Sequence, residues 1–306
     1  MQTENKPFYS IIIPVYNSGL FLDNCLESII NQDFLNFELI IIDDGSEDNS
    51  LEISKSWQMK DSRVKVLTKK NGGQGSARNL GLKIAVGTYV LFVDSDDALS
   101  ETTLSKNYEI LKQDPEIDCL QFPIYRNYGK ENAFTKENEV CTFTNTYEIT
   151  IAFLKNNKLT WIFCDKIFKR TLFDHLAFRE DIKYEDNYLI MKMIPAFKKI
   201  YSSNKGMYYY YYRENSTTTS SLSEHKEVST IQVLLLIMDV IRPLKDIELI
   251  FKYLIRIINV EKSLKANFNS FTPEFKQFKN DMRFKDIVFS NQSIKNKIKL
   301  LQYKYV

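Results

Sequence analysis

A fourfold alternation in the first hundred residues constrains this chain more than any other feature. Apolar runs at Ser10–Pro14 (SIIIP), Phe37–Ile42 (FELIII), Val64–Leu67 (VKVL) and Tyr89–Val93 (YVLFV) have the length and composition of buried strands. Between the first two, Leu22, Cys25, Leu26, Ile29 and Ile30 recur at steps of three and four, which gives a helix one apolar stripe to lay on a sheet. Helices are also predicted over Asp48–Lys60 and Gly75–Ala85. Repetition of strand, crossover helix and strand predicts an α/β fold on a mostly parallel, doubly wound sheet with flanking helices.

In open sheets of this kind ligands sit beyond the carboxyl ends of the strands. The residues at those ends are Tyr16 and Asn17, Asp43 and Asp44, and Asp94–Asp97, so three polar clusters are expected along one edge. Asp94 and Asp96, in the run YVLFVDSDD, are costly to bury unless a cation, a basic partner or solvent meets them. A hard divalent ion bridging to a ligand's phosphates answers that need. With only two His, at 175 and 225, and four scattered Cys, the donor types favour Mn²⁺ or Mg²⁺ over zinc. Read alone, the DxD pattern is equally that of a solvated turn with helix-capping aspartates. In IIDDGSEDNS, Asp48 or Asn49 suits a helix cap, whereas Asp43 and Asp44 have the acceptor oxygens for a pyrimidine imino N–H or ribose hydroxyls. The glycines of NGGQGSARNLGL, Asn71–Leu82, permit close backbone approach, and Arg78 brings a fork of donors suited to a phosphate or base. No GxxxxGK[ST] motif occurs and no GxGxxG follows the first strand, which removes the support for P-loop and dinucleotide-binding readings.

Taken together, SIIIPVYN, DDGSEDNS, GGQGSARNLG and VDSDD resemble, in order and approximate spacing, the family 2 glycosyltransferases of GT-A fold. The resemblance is close from Phe8 to Ala98, thinner to Ser216 and absent beyond. It implies that Pro14, Val15, Tyr16 and Asn17 border the base of a nucleotide-sugar donor, with Asp43 or Asp44 bonded to it and Arg78 near the nucleotide. Asp94 and Ser95 would meet the ribose or sugar, and Asp96, with Asp94, would ligate the metal. In DIKYEDNYLIMK the resemblance makes Asp186 the base that deprotonates the acceptor hydroxyl and Glu185 its orienting neighbour; an acid-rich helix start is the local alternative. Trp161 and Lys166, in WIFCDKIFKR, would border the acceptor or serve as packing and surface residues. The processive signature QxxRW is absent; YYYRENS stands in its place, with Arg213 facing either the diphosphate or solvent.

Domain expectations follow: a GT-A domain over 1–220, with a donor half to 98 and an acceptor half from 99, and a helical region over 221–306. A weakly marked boundary falls at the Ser/Thr cluster Ser216–Ser221. Met207–Arg213 reads as a strand, and everything from Ser223 as helix interrupted at Pro243. The formal charge of +2 argues against nucleic acid as a partner. Its distribution is uneven: Phe251–Val306 holds twelve Lys/Arg against four Asp/Glu, a net of +8 that leaves −6 for the rest. That end suits an anionic membrane surface, or simply carries solvated lysine faces. No segment reaches the ~20 apolar residues of a membrane span, the first ten residues do not read as a secretion signal, and unpaired thiols fit the cytoplasm. The expected reaction is therefore inverting, metal-dependent sugar transfer from a nucleotide-diphosphate donor, with UDP favoured, to a saccharide or lipid-linked saccharide in cell-surface polysaccharide synthesis. A sugar nucleotidyltransferase and a non-catalytic nucleotide-binding relative are the alternatives.

Overall fold

The computed structural model describes residues 6–128, 130–155, 158–213, 221–270 and 283–305. The chain forms two compact units, one of Met1–Glu180 with Lys192–Glu214, the other of Asp181–Met191 with Asn215–Val306. Residues 214–220, which include Ser216 of the expected boundary, lie outside the described residues.

The first unit opens with β1 (Tyr9–Val15), α1 (Leu22–Ile30), β2 (Phe37–Asp43), α2 (Ser50–Lys60), β3 (Val64–Thr68), α3 (Gln74–Ile84) and β4 (Tyr89–Phe92). These are the alternating elements that the periodicity predicts. There follow β5 (Ala98–Leu99), α4 (Thr103–Gln113), β6 (Cys119–Gln121), β7 (Ile124–Tyr128), β8 (Phe134–Lys136), β9 (Cys141–Phe143), α5 (Thr146–Leu154) and β10 (Lys166–Lys169). After α6 (Glu185–Met193), which belongs to the second unit as far as Met191, come β11 (Ile200–Ser202) and β12 (Tyr208–Tyr211).

The main sheet runs β3-β2-β1-β4-β10-β6-β11-β9. Its first four strands are parallel, β10 is antiparallel to both its neighbours, and β9 is antiparallel to β11, so the sheet is mixed. Strand order reverses between β1 and β4, the position where α/β sheets open a crevice. Pairing of those two strands ends at Ile12 and Phe92, with one further bond from Val93 N–H to the Ile12 carbonyl. Pro14, which has no N–H to offer, stands just past that point. The sequence thus releases β1 from β4 where a ligand would enter.

Both faces of the parallel strands are covered, as all-apolar strands require. Ile11, Ile13, Leu39 and Ile41 join Leu22, Cys25, Leu26 and Ile29 of α1 in one core. On β4, Phe92 meets the rings of Phe163, Phe168, Phe173 and Phe178. Each fully buried side chain of this size contributes about 1.5–3 kcal/mol. A smaller sheet, β5-β12-β7-β8, brings β12 antiparallel to β5, directly after the acid cluster.

The second unit is helical: α7 (Glu224–Ile241), α8 (Ile247–Phe268), α9 (Phe284–Phe289) and α10 (Ile294–Tyr305). Ser223 caps α7 by accepting from Lys226 N–H, and Asp246 caps α8 through Leu249 N–H at 3.0 Å. A 3₁₀ turn at Arg242–Leu244 separates the two, where Pro243 breaks the α pattern. Among the described residues, no helix is long and apolar enough to cross a membrane.

Candidate active site

Three strand ends converge by register and hydrogen bonding. Val15 and Asp43 are partners across β1 and β2, and Asp44 N–H donates to the Val15 carbonyl at 2.8 Å. Past β1, Asn17 adopts a left-handed φ of 49°, which Asn tolerates better than most residues. Its amide accepts from Glu47 N–H at 2.8 Å, and its own N–H donates to Ser46 Oγ at 3.1 Å. That leaves Tyr16 half-exposed beside the turn. Gly45, at φ 76°, reverses the chain there.

The two aspartates after β2 have different surroundings. Asp44 accepts Lys69 Nζ at 2.7 Å and Gly72 N–H at 3.0 Å on one oxygen, and Gly73 N–H at 2.7 Å on the other. It is spent on folding the glycine loop. For Asp43, equally buried, the bond present among the described residues is a long one from Ser46 N–H, 3.4 Å. Asp43 therefore keeps acceptor capacity that Asp44 does not.

The loop pinned by Asp44 leads straight into α3, through Gly73 at φ 84°. Gln74 Nε2 and Arg78 Nη2, on the first turns of that helix, both donate to Asp94 Oδ1, at 2.7 and 2.9 Å. A continuous network thus joins the ends of β2 and β4. Arg78 is 3% exposed and stands over the Phe178 ring at 5.3 Å, so the aromatic core beneath β4 sets its position. Ser95 shares a 2.6 Å hydrogen bond with Ser18.

On the far side of the cluster, Asp96 pairs with Arg213 Nε at 2.5 Å. Burial, and then the charge of Asp94, raise the Asp96 carboxyl to about 6, against the lowering effect of Arg213. Asp97 accepts the Tyr208 hydroxyl at 2.6 Å and Tyr211 N–H at 3.0 Å. Its carboxyl is raised well above the ordinary value by burial and by Asp96 and Asp94. Tyr208 O–H also accepts from Asp94 N–H at 3.2 Å, so β12 props the acid turn from behind. Among the described residues, no group of three or more His, Cys, Asp or Glu is arranged to hold a metal.

Of the residues expected on the acceptor side, Arg213 stands at the donor acids. Lys166 is fully buried, and its three N–H bonds go to Thr160 Oγ1 (2.8 Å), the Ile162 carbonyl (2.7 Å) and Asp165 (2.6 Å). No donor is left for a substrate; the network holds the loop carrying Trp161, whose ring lies 5.9 Å from that of Phe153. Glu185 and Asp186 open α6 in the second unit, directly after Tyr184 at φ 60°. Asp186, in the first turn of that helix, accepts Asn187 N–H at 2.7 Å. Sequence reasoning missed Tyr208, Gln74 and Lys69; nothing in the tyrosine run MYYYYYR distinguishes the one that turns inward.

The profile of Glycosyl transferase family 2 matches residues 10–181, which contain Asp43, Asp44, Arg78 and Asp94–Asp97 but not Tyr208 or Arg213. Glycosyltransferase GlyG of Streptococcus pneumoniae is 30% identical over 213 residues, 65% of this chain and 69% of that protein. An uncharacterized glycosyltransferase, EpsJ of Bacillus subtilis, is 30% identical over 66% of this chain, and the match spans 60% of that relative. The minor teichoic acid biosynthesis protein GgaB of the same organism is 33% identical over 63% of this chain, but over 21% of its own length. Among solved structures, S. aureus TarS 1–349 in complex with UDP-GlcNAc superposes with a TM-score of 0.71 at 23% identity, covering 97% of this chain and 89% of that one. The mannosyltransferase PcManGT from Pyrobaculum calidifontis, in complex with GDP-Man and Mn²⁺, gives 0.56 at 15% identity over 99% and 85%.

Proposed function

The chain belongs to glycosyl transferase family 2 and has the GT-A fold, and on that premise we propose that it moves a sugar from a UDP-sugar to a hydroxyl of a saccharide or lipid-linked saccharide, with inversion, in building a cell-surface polysaccharide. The observation that carries this reading is the Asp94–Asp96 pair, held between Arg78 and Arg213 where β1 and β4 part. Such a site presents oxygens to a cation and guanidiniums to phosphate. UDP is chosen because TarS was solved with UDP and UDP-GlcNAc; the polymer, because GgaB serves teichoic acid biosynthesis.

Pro14, Val15, Tyr16 and Asn17 border the base in this account, and Asp43 accepts its imino N–H. Asp94, Ser95 and Arg78 face the ribose and diphosphate. The residues fit a divalent ion, because two adjacent carboxylates raise each other's cost of burial and a shell of one or two carboxylates completed by substrate phosphates is usual for Mg²⁺. Bound there, Mn²⁺ or Mg²⁺ would stabilise the charge that develops on the leaving diphosphate. Asp186 takes the proton of the acceptor hydroxyl as its oxygen bonds to the anomeric carbon and the bond to the diphosphate breaks on the opposite face. Glu185 orients that base, and Lys166 acts on the acceptor only by fixing the Trp161 loop.

Residues 1–220 constitute the transferase part in this proposal. The helical region 221–306 rests on an anionic membrane surface from the cytoplasm, presenting the exposed Phe289, Ile294 and Ile298 beside Lys295, Lys297 and Lys299. Sedimentation with anionic vesicles at low salt is the expected result, and free protein in the supernatant would refute the membrane assignment.

A thermal-shift screen of nucleotide sugars with and without Mn²⁺ tests the donor assignment, since a ligand at a hundred times its Kd adds about 2.7 kcal/mol. UDP-sugars should raise the melting temperature only with the metal; no shift with any nucleotide sugar would defeat the reading. Asp186→Asn should keep that shift and lose about 10²–10⁴-fold in turnover. Unchanged turnover would remove Asp186 from the reaction.

A further inference from the structure

Phe178 is buried although it lies in an irregular stretch, outside any helix or strand. Its ring meets those of Phe92 at 5.4 Å and Phe163 at 5.0 Å, and the Arg78 guanidinium stands over it at 5.3 Å. A buried residue without a strand partner must still satisfy its own N–H and C=O. Here both go to one side chain. Phe178 N–H donates to Asn79 Oδ1 at 2.9 Å, and Asn79 Nδ2 donates to the Phe178 carbonyl at 2.9 Å. Nδ2, which has two hydrogens to give, also donates to Glu180 Oε1 at 3.0 Å. Asn79 does for Phe178 what a neighbouring strand does within the sheet.

Arg78 and Asn79 are consecutive on α3 and point about 100° apart. One rests on the ring of Phe178 while the other grips its main chain, so a single helix turn holds that residue at two points. The consequence falls on Arg78. Its guanidinium, buried and donating to Asp94 at 2.9 Å, stands where the ring allows, and the Asn79 amide fixes the backbone that carries the ring. An amide satisfies both main-chain bonds, with oxygen toward the N–H and nitrogen toward the carbonyl. A carboxylate would set its second oxygen against the Phe178 carbonyl and the Glu180 carboxylate.

We infer that Asn79 is a positioning residue of the donor site: it acts on Arg78, through the backbone and ring of Phe178, rather than on the ligand. The inference rests on the sugar-transfer reading, which makes the Arg78 guanidinium a partner of the ribose and diphosphate.

The test is calorimetry of UDP with Mn²⁺ on the full chain, at a temperature where every variant is folded, paired with urea unfolding. The affinity of folded protein does not register a loss of stability, so a merely structural role would leave it unmoved. Asn79→Ala should weaken UDP binding about tenfold, the low end of the cost of removing a group that orients a ligand-binding side chain. Asn79→Asp, equal in size but wrong in its donors, should weaken it at least as much. Glu180→Ala, which leaves both main-chain bonds, should bind as the wild type does. In an Arg78→Lys background, where no flat guanidinium rests on the ring, Asn79→Ala should cost less than it does in the wild type. Wild-type affinity in Asn79→Ala and Asn79→Asp, or an undiminished loss in the Arg78→Lys background, would overturn the inference and leave the donor reading standing. A wild type that binds no UDP would instead defeat the donor reading. The unfolding cycle between Arg78→Lys and Asn79→Ala then decides, with coupled losses supporting the clamp and additive losses overturning it.

Discussion

Replacement of Asp44 by Ala should destabilise the first unit while the same change at its neighbour Asp43 should not. Both side chains are buried, but Asp44 carries bonds from Lys69, Gly72 and Gly73, against one 3.4 Å bond at Asp43. Hydrogen bonds to a charged group contribute about 1.5–3 kcal/mol each, and they are not additive. Removing one partner of a buried ion pair costs about 3–5 kcal/mol; with Lys69 21% exposed, water recovers part of this, so the lower half of that range is expected. For a unit of this size that is a fall in Tm of roughly 10 °C. Asp44→Asn should lose about half as much, since one oxygen remains while an amide N–H₂ is set against a donor. Asp43→Ala should cost less than about 1.5 kcal/mol and abolish UDP binding. Urea unfolding, with the midpoint compared at constant slope, and calorimetry with UDP and Mn²⁺ read the two effects separately. Equal stability losses at 43 and 44 would refute the division of labour drawn from their hydrogen bonds.

Lys166→Met should strand the buried Asp165 carboxylate and cost about 3–5 kcal/mol in denaturant unfolding, whereas pairing it with Asp165→Leu should recover most of the loss; no recovery would mean that shape rather than charge is at stake. Tyr208→Phe removes the hydroxyl between Asp97 and Asp94 N–H, at about 1–3 kcal/mol, and should also weaken UDP binding with Mn²⁺ in calorimetry; unchanged affinity would free the acid turn from β12. Glu38 is buried, which by itself raises its carboxyl, yet bonds from Lys65, Ser10 and Val86 N–H outweigh burial and hold it below the ordinary value of 4.5. Its contribution is therefore full above that pH and lost as pH falls through the depressed value. Glu38→Gln should be less stable than the wild type at pH 7, with the gap closing in acid; a gap constant with pH would disprove the assignment.

Everything that depends on local pattern was legible in the order of residues. The buried runs fixed in β1 to β4, the stripe of α1 and the turn chemistry of Gly45 and Gly73 are periodic or dihedral signals within a dozen residues, and Ser223 and Pro243 mark the start and end of α7 for the same reason. The acids at the ends of β2 and β4 were legible because parallel strands must deliver their carboxyl ends to one edge. The three-residue strands β6, β9 and β11 carried no readable alternation. Nor did any local feature separate Asp43 from Asp44, turn Lys166 inward, or bring Tyr208 to Asp97 across 111 positions. Those were decided by tertiary structure alone, because a buried charge must find its partner wherever packing leaves one, and that choice depends on distances in space that the order of residues does not contain.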